Sequence, residues 1–91
     1  RLIPSLAVSF FKYLRRATPQ LILLDMVLPY MGADQFLQEK LSDPRLAAIP
    51  VAIISSYPRE EAKIPLRDTV AYLHKPIDLD VLMTTVQWYC A

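Results

Sequence analysis

Apolar and polar positions follow two different periods along the chain. Val8, Phe11 and Tyr13-Leu14 fall at helical spacing, and Lys12, Arg15 and Arg16 put positive charge at the negative end of that helix dipole. Thr18-Pro19 then stops the helix, because the residue before a proline is pushed out of the helical region. Leu21-Ile22-Leu23-Leu24 is a short unbroken apolar run, the pattern of a strand buried on both faces, and it ends abruptly in Asp25. Over residues 33–41, Phe36, Leu37 and Leu41 share one helical face, with Gln35, Gln38 and Glu39 opposite. Residues 50–54 repeat the buried-strand pattern and lead into Ser55-Ser56 and a Tyr57-Pro58 turn. The charged stretch 59–68 carries Pro65, so any helix there is short or divided. Residues 70–74 predict a third strand, closed by Lys75-Pro76. From Asp78, a fitting N-cap, Leu79, Leu82, Met83, Val86 and Cys90 follow at helical spacing.

The predicted order is helix, strand, helix, strand, weak helix, strand, helix. Such alternation implies an α/β protein with a parallel sheet and helices on both faces, in which ligands bind beyond the carboxyl ends of the strands. Asp25, Ser55 and Lys75 each stand at such an end, separated by 30 and 20 positions, spacings that suit one strand-helix-strand unit each. Taken singly, each has a plain reading: a loop carboxylate or cap, a turn serine, an exposed lysine. Delivered together by neighbouring strands, they suit a small anion. A carboxylate can attack phosphorus and form an aspartyl phosphate, an ammonium neutralises phosphoryl oxygens, and a hydroxyl donates a hydrogen bond to one of them.

Composition narrows the classes. The chain's 91 residues make one small domain, 54% hydrophobic and 21% charged, which excludes a disordered chain. No apolar run approaches the roughly 20 residues needed to cross a bilayer, so no membrane insertion is expected. Ten basic and nine acidic residues leave a net charge of +1, which gives no electrostatic basis for direct nucleic-acid binding. The single Cys90 excludes an internal disulfide and fits a reducing, cytoplasmic setting. With one glycine and no glycine-rich phosphate loop, a nucleotide-binding enzyme is set aside. The chain opens on Arg1 and is read as a portion of a longer protein.

Three segments resemble the receiver domains of bacterial response regulators. Pro19 to Met31 is similar to their phosphoacceptor strand and following loop, Ile49 to Ser56 to their hydroxyl-bearing strand, and Tyr72 to Pro76 to their lysine strand. The resemblance covers nearly all of residues 1–91 and implies a partial receiver domain of flavodoxin-like, three-layer fold. In its strand order 2-1-3-4-5, the first strand, the first helix and most of the second strand would precede Arg1.

It implies that Asp25 accepts a phosphoryl group from a sensor histidine kinase or phosphotransfer protein, with Mg2+ as cofactor. Asp25 and the backbone carbonyl of Val27 would hold the metal, together with an acidic pair from the first strand. Ser55 would be the switch hydroxyl, Lys75 the phosphate and carboxylate partner, and Tyr72 the aromatic that turns as Ser55 moves. Ser56, Val27 and Tyr57 would govern access to the phosphate. The latter two, apolar or bulky, imply slow attack by water and a long-lived phosphorylated state. Pro76 would follow a cis peptide bond. The output would be a changed surface and not turnover of a substrate, so the domain is expected not to be an enzyme.

Departures accompany the match. Gly32-Ala33 stands where receivers usually carry Asp-Gly, and the acidic pair is not in the chain, which leaves a pseudo-receiver acting as a phosphorylation-independent docking or dimerisation module as the alternative. His74 is the only histidine and has no ligand partner at zinc spacing. Trp88 and Tyr89 are read either as core or as part of a docking surface, in keeping with a homodimer formed through the last strand and last helix.

Overall fold

A computed structural model describes residues 5–27, 31–62 and 69–90. The chain alternates as expected: α1 (Ser5–Ala17), β1 (Ile22–Asp25), α2 (Ala33–Leu41), α3 (Pro44–Ala47), β2 (Val51–Ser55), β3 (Ala71–His74) and α4 (Leu79–Tyr89). The three strands form a parallel sheet in the order β1-β2-β3, registered so that Asp25 lies beside Ile54 and Ser55 beside His74. These are the three strands the chain was expected to supply, and all three end at the same rim.

One sheet face carries the main core. Ile22, Leu24, Val51 and Ile53 alternate onto it and meet Phe11 and Leu14 from α1, Phe36 and Leu37 from α2, and Leu46 from α3. Phe11 and Phe36 stack with ring centroids 5.2 Å apart and planes 17° from parallel. Lys40, on the buried side of α2, donates from Nζ to the Ala47 carbonyl at 2.9 Å. Its charge thus lies at the carboxyl end of α3, where carbonyls are left over and the helix dipole is negative.

α3 has no counterpart in the sequence-based expectation. Four residues are too few for a helical stripe, and the signal was Asp43-Pro44. Asp43 Oδ1 accepts from the Arg45 N–H at 2.9 Å, and Pro44 takes the first helical position, where a missing N–H is harmless. The other carboxylate oxygen accepts from Arg15 at 3.1 Å and ties α3 to α1. Contacts with the Arg45 N–H and then with Arg15 hold the Asp43 carboxyl below its ordinary 3.8. In the charged stretch, only Arg59–Glu61 forms a single 3-10 turn, and residues 63–68 lie outside the described residues.

The second face corrects a further expectation. Leu21–Leu24 read as a strand buried on both sides, yet Leu23 is exposed. Among the described elements, α4 packs against β3, the strand farthest from β1 in the sheet order. Trp88, undecided from sequence, is 78% exposed and belongs to no core.

α1 ends with Thr18 at φ 41°, its N–H bonded to the Leu14 carbonyl at 2.9 Å. A β-branched residue in this left-handed region is strained, because its Cβ crowds the neighbouring backbone. Thr18→Gly is expected to raise the unfolding free energy by about 0.5–1 kcal/mol, the relief of strain less the extra freedom glycine has when unfolded. Urea unfolding of the two proteins with unchanged slope checks this.

Candidate functional site

The site is built on the common rim of the three strands. β1 runs apolar until its last residue, so Asp25 emerges from the sheet with its side chain 42% exposed. Its Oδ2 accepts from Lys75 Nζ at 2.8 Å, and its Oδ1 accepts from the Val27 N–H at 2.9 Å. The Lys75 hydrogen bond first, and the Val27 N–H second, hold the Asp25 carboxyl below its ordinary 3.8. Asp25 is therefore a carboxylate at neutral pH, with both oxygens oriented. Lys75 reaches it from two strands away, as the first residue beyond the end of β3 at His74, and the Lys75–Pro76 peptide bond is cis.

Ser55 closes β2 and is buried, 1% exposed. Its Oγ does not reach Asp25 and accepts instead from the Tyr57 N–H at 2.9 Å. So the structure joins Asp25 and Lys75 directly, and it places Ser55 at the adjoining strand end, engaged with its own loop. Tyr72, packed at the edge of the core, donates from its hydroxyl to the Tyr57 carbonyl at 2.7 Å. Ser56, Tyr57 and Val27 are exposed around the rim.

Some contacts were not legible in the sequence. His74, set aside there as a metal ligand, lies 3.0 Å through Nε2 from the Ser56 carbonyl. A carbonyl only accepts, so Nε2 carries the proton. The signal that could have found this pairing is the register of β2 against β3, which sequence does not give.

The donors near the rim suit a hard cation in kind: the Asp25 carboxylate and the Val27 carbonyl are oxygens, as magnesium prefers. Among the described residues, no group of three His, Cys, Asp or Glu gathers as a metal cage. A half-exposed carboxylate flanked by an ammonium is chemically a nucleophile toward an electrophilic phosphorus, with a positive charge ready beside it.

No family model matches the chain. Among curated proteins, it is 31% identical over 74 residues to protein PilH of Pseudomonas aeruginosa, covering 79% of this chain and 61% of that protein. It is 30% identical over 83 residues to response regulator Rre1 of Synechocystis, covering 89% of this chain and 36% of that one. The chain thus spans less than two thirds of either relative.

Among solved structures, the amino-terminal domain of the nisin resistance regulator NsrR, a lantibiotic response regulator, superposes with a TM-score of 0.72 at 23% identity, over 92% of this chain and 71% of that one. The phosphorylated cyanobacterial phytochrome response regulator RcpA gives 0.68 at 26% identity, over 92% and 69%. The manganese-bound response regulator Rcp1 gives 0.61 at 26% identity, over 88% and 64%. Sequence relatives, strand order and the residues at the rim agree: the chain is similar to response-regulator receiver domains and has their flavodoxin-like α/β fold.

Proposed function

We propose that this domain is the phosphoacceptor switch of a two-component relay, with Asp25 as acceptor. The observation that carries the proposal is the Asp25–Lys75 contact at 2.8 Å on a rim that also bears Ser55. A carboxylate oxygen of Asp25 bonds to the phosphorus of a phosphohistidine on a sensor histidine kinase or phosphotransfer protein. The phosphorus–nitrogen bond breaks, and its electron pair leaves with the imidazole. Lys75 stays beside the added oxygens and offsets their charge, and the Ser55 hydroxyl turns from the Tyr57 N–H to donate to one of them. Tyr72 follows the segment it is tied to.

Asp25 and the Val27 carbonyl would hold Mg2+, with water and further acidic oxygens of the kind the resemblance implies completing the shell. When bound, the cation neutralises phosphoryl charge. Support for a divalent cation comes from the manganese-bound Rcp1, and for phosphorylation from the phosphorylated RcpA. The result is a changed surface, not substrate turnover. α4 leaves Leu79, Val81, Met83 and Trp88 exposed, an apolar helix surface that a partner or second copy would read. The exchange takes place in the cytoplasm, whose reducing conditions suit the single Cys90.

The test is incubation of the full-length protein with acetyl phosphate and magnesium, read by intact mass. One added phosphoryl group is expected, abolished by a chelator and slow to leave once formed. A protein that gains no mass with metal present is the docking pseudo-receiver instead.

A further inference from the structure

Three consecutive carbonyls, those of residues 55–57, are held by β3 and the residue that follows it. The Ser55 carbonyl accepts from the Lys75 N–H at 2.7 Å, the Ser56 carbonyl from His74 Nε2 at 3.0 Å, and the Tyr57 carbonyl from the Tyr72 hydroxyl at 2.7 Å. The Tyr57 N–H closes the arrangement on Ser55 Oγ at 2.9 Å. Residues 55–57 are therefore strapped to residues 72–75 by a backbone amide, an imidazole and a phenol. The middle tie is made at the solvent edge, where Ser56 lies, and His74, registered against Ser55, is the side chain that reaches its carbonyl.

We infer that His74 is a positioning residue of the switch, holding the Ser56 carbonyl so that Ser55 stays turned away from Asp25 until phosphate arrives. The inference rests on the proposed role of Asp25 and adds a residue to it. Turning Ser55 inward breaks its bond to the Tyr57 N–H and shifts the segment that carries the three carbonyls. The competent arrangement is a minor population that the His74 tie makes rarer, and loss of that tie enlarges it. His74 itself touches neither the phosphoryl group nor Asp25 in this arrangement, so its effect passes through Ser56.

Full-length wild type, His74→Phe, His74→Ala and His74→Gln separate the possibilities by two readouts: amide hydrogen exchange at Tyr57, and the initial rate of phosphate uptake from acetyl phosphate with magnesium. In His74→Phe and His74→Ala, both are expected to rise about fivefold, the factor for losing one neutral hydrogen bond. Glutamine, whose side-chain amide can donate to the same carbonyl, is expected to restore both. Exchange at Ile53, inside β2, stays unchanged in all four. Wild-type exchange in both the Phe and Ala variants overturns the tie. Faster exchange with wild-type uptake overturns the positioning role. No uptake in any of the four, with exchange accelerated, overturns the reading of Asp25 and leaves the tie supported. Because His74 is exposed and outside the core, its replacements should unfold as cooperatively as wild type.

Discussion

Asp25→Ala is expected to abolish phosphate uptake from acetyl phosphate and from any partner kinase, while leaving the fold intact. In the proposed role the carboxylate is the nucleophile, so its removal leaves no group at that position to take the phosphoryl group. Stability should hold for a separate reason. The Asp25–Lys75 pair is 42% and 43% exposed, so solvent screens it, and such pairs contribute only about 0–1 kcal/mol. Intact mass with magnesium present, alongside urea unfolding of the same samples, checks both halves. Equal labelling of Asp25→Ala and wild type would move the acceptor elsewhere.

The electrostatics of the site add a pH signature. The Lys75 hydrogen bond, then the Val27 N–H, place the Asp25 carboxyl below its ordinary 3.8. A depressed folded value contributes stability that is present above the unfolded value and lost as pH falls through the folded one. Between the ordinary carboxylate range and neutrality, Asp25 stays ionised, so a decline of uptake over that window is not expected to come from its protonation.

Phe36→Ala should do the reverse, removing the fold and with it everything else. Phe36 is 0% exposed and stacks on Phe11, joining α1, α2 and the sheet in one cluster. Truncating a buried phenylalanine costs about 3–5 kcal/mol, which is most of the stability of a domain near the lower end of the usual 5–15 kcal/mol. The melting temperature is expected to fall on the order of 20 °C, or the cooperative transition to vanish. Trp88→Ala is the matched control: the residue is larger but 78% exposed, and a change within about 0.5 kcal/mol is expected. A Phe36→Ala protein that melts like wild type would mean the cluster is not the core.

The strands and the rim were legible because each is a short apolar run that stops at a polar residue, a signal carried by neighbouring positions in sequence. Asp25, Ser55 and Lys75 could be placed at one edge from that alone. What stayed hidden depends on partners distant in sequence. The exposure of Leu23 follows from where α4 lies, not from the run that contains it. α3 is four residues long, so only its cap could announce it. The ties from Tyr72 and His74 require the register of β3 on β2, which no local pattern fixes.

Among the described residues, β1 pairs on one side alone, with β2. Its other side offers unmet backbone donors and acceptors, the usual invitation to a further strand. Asp25 is the last residue of that margin. A segment laid alongside in the parallel sense would finish within reach of the same carboxylate, so whatever zips onto this margin also brings its final side chains to Asp25. Completion of the sheet and completion of the proposed site would then be one event.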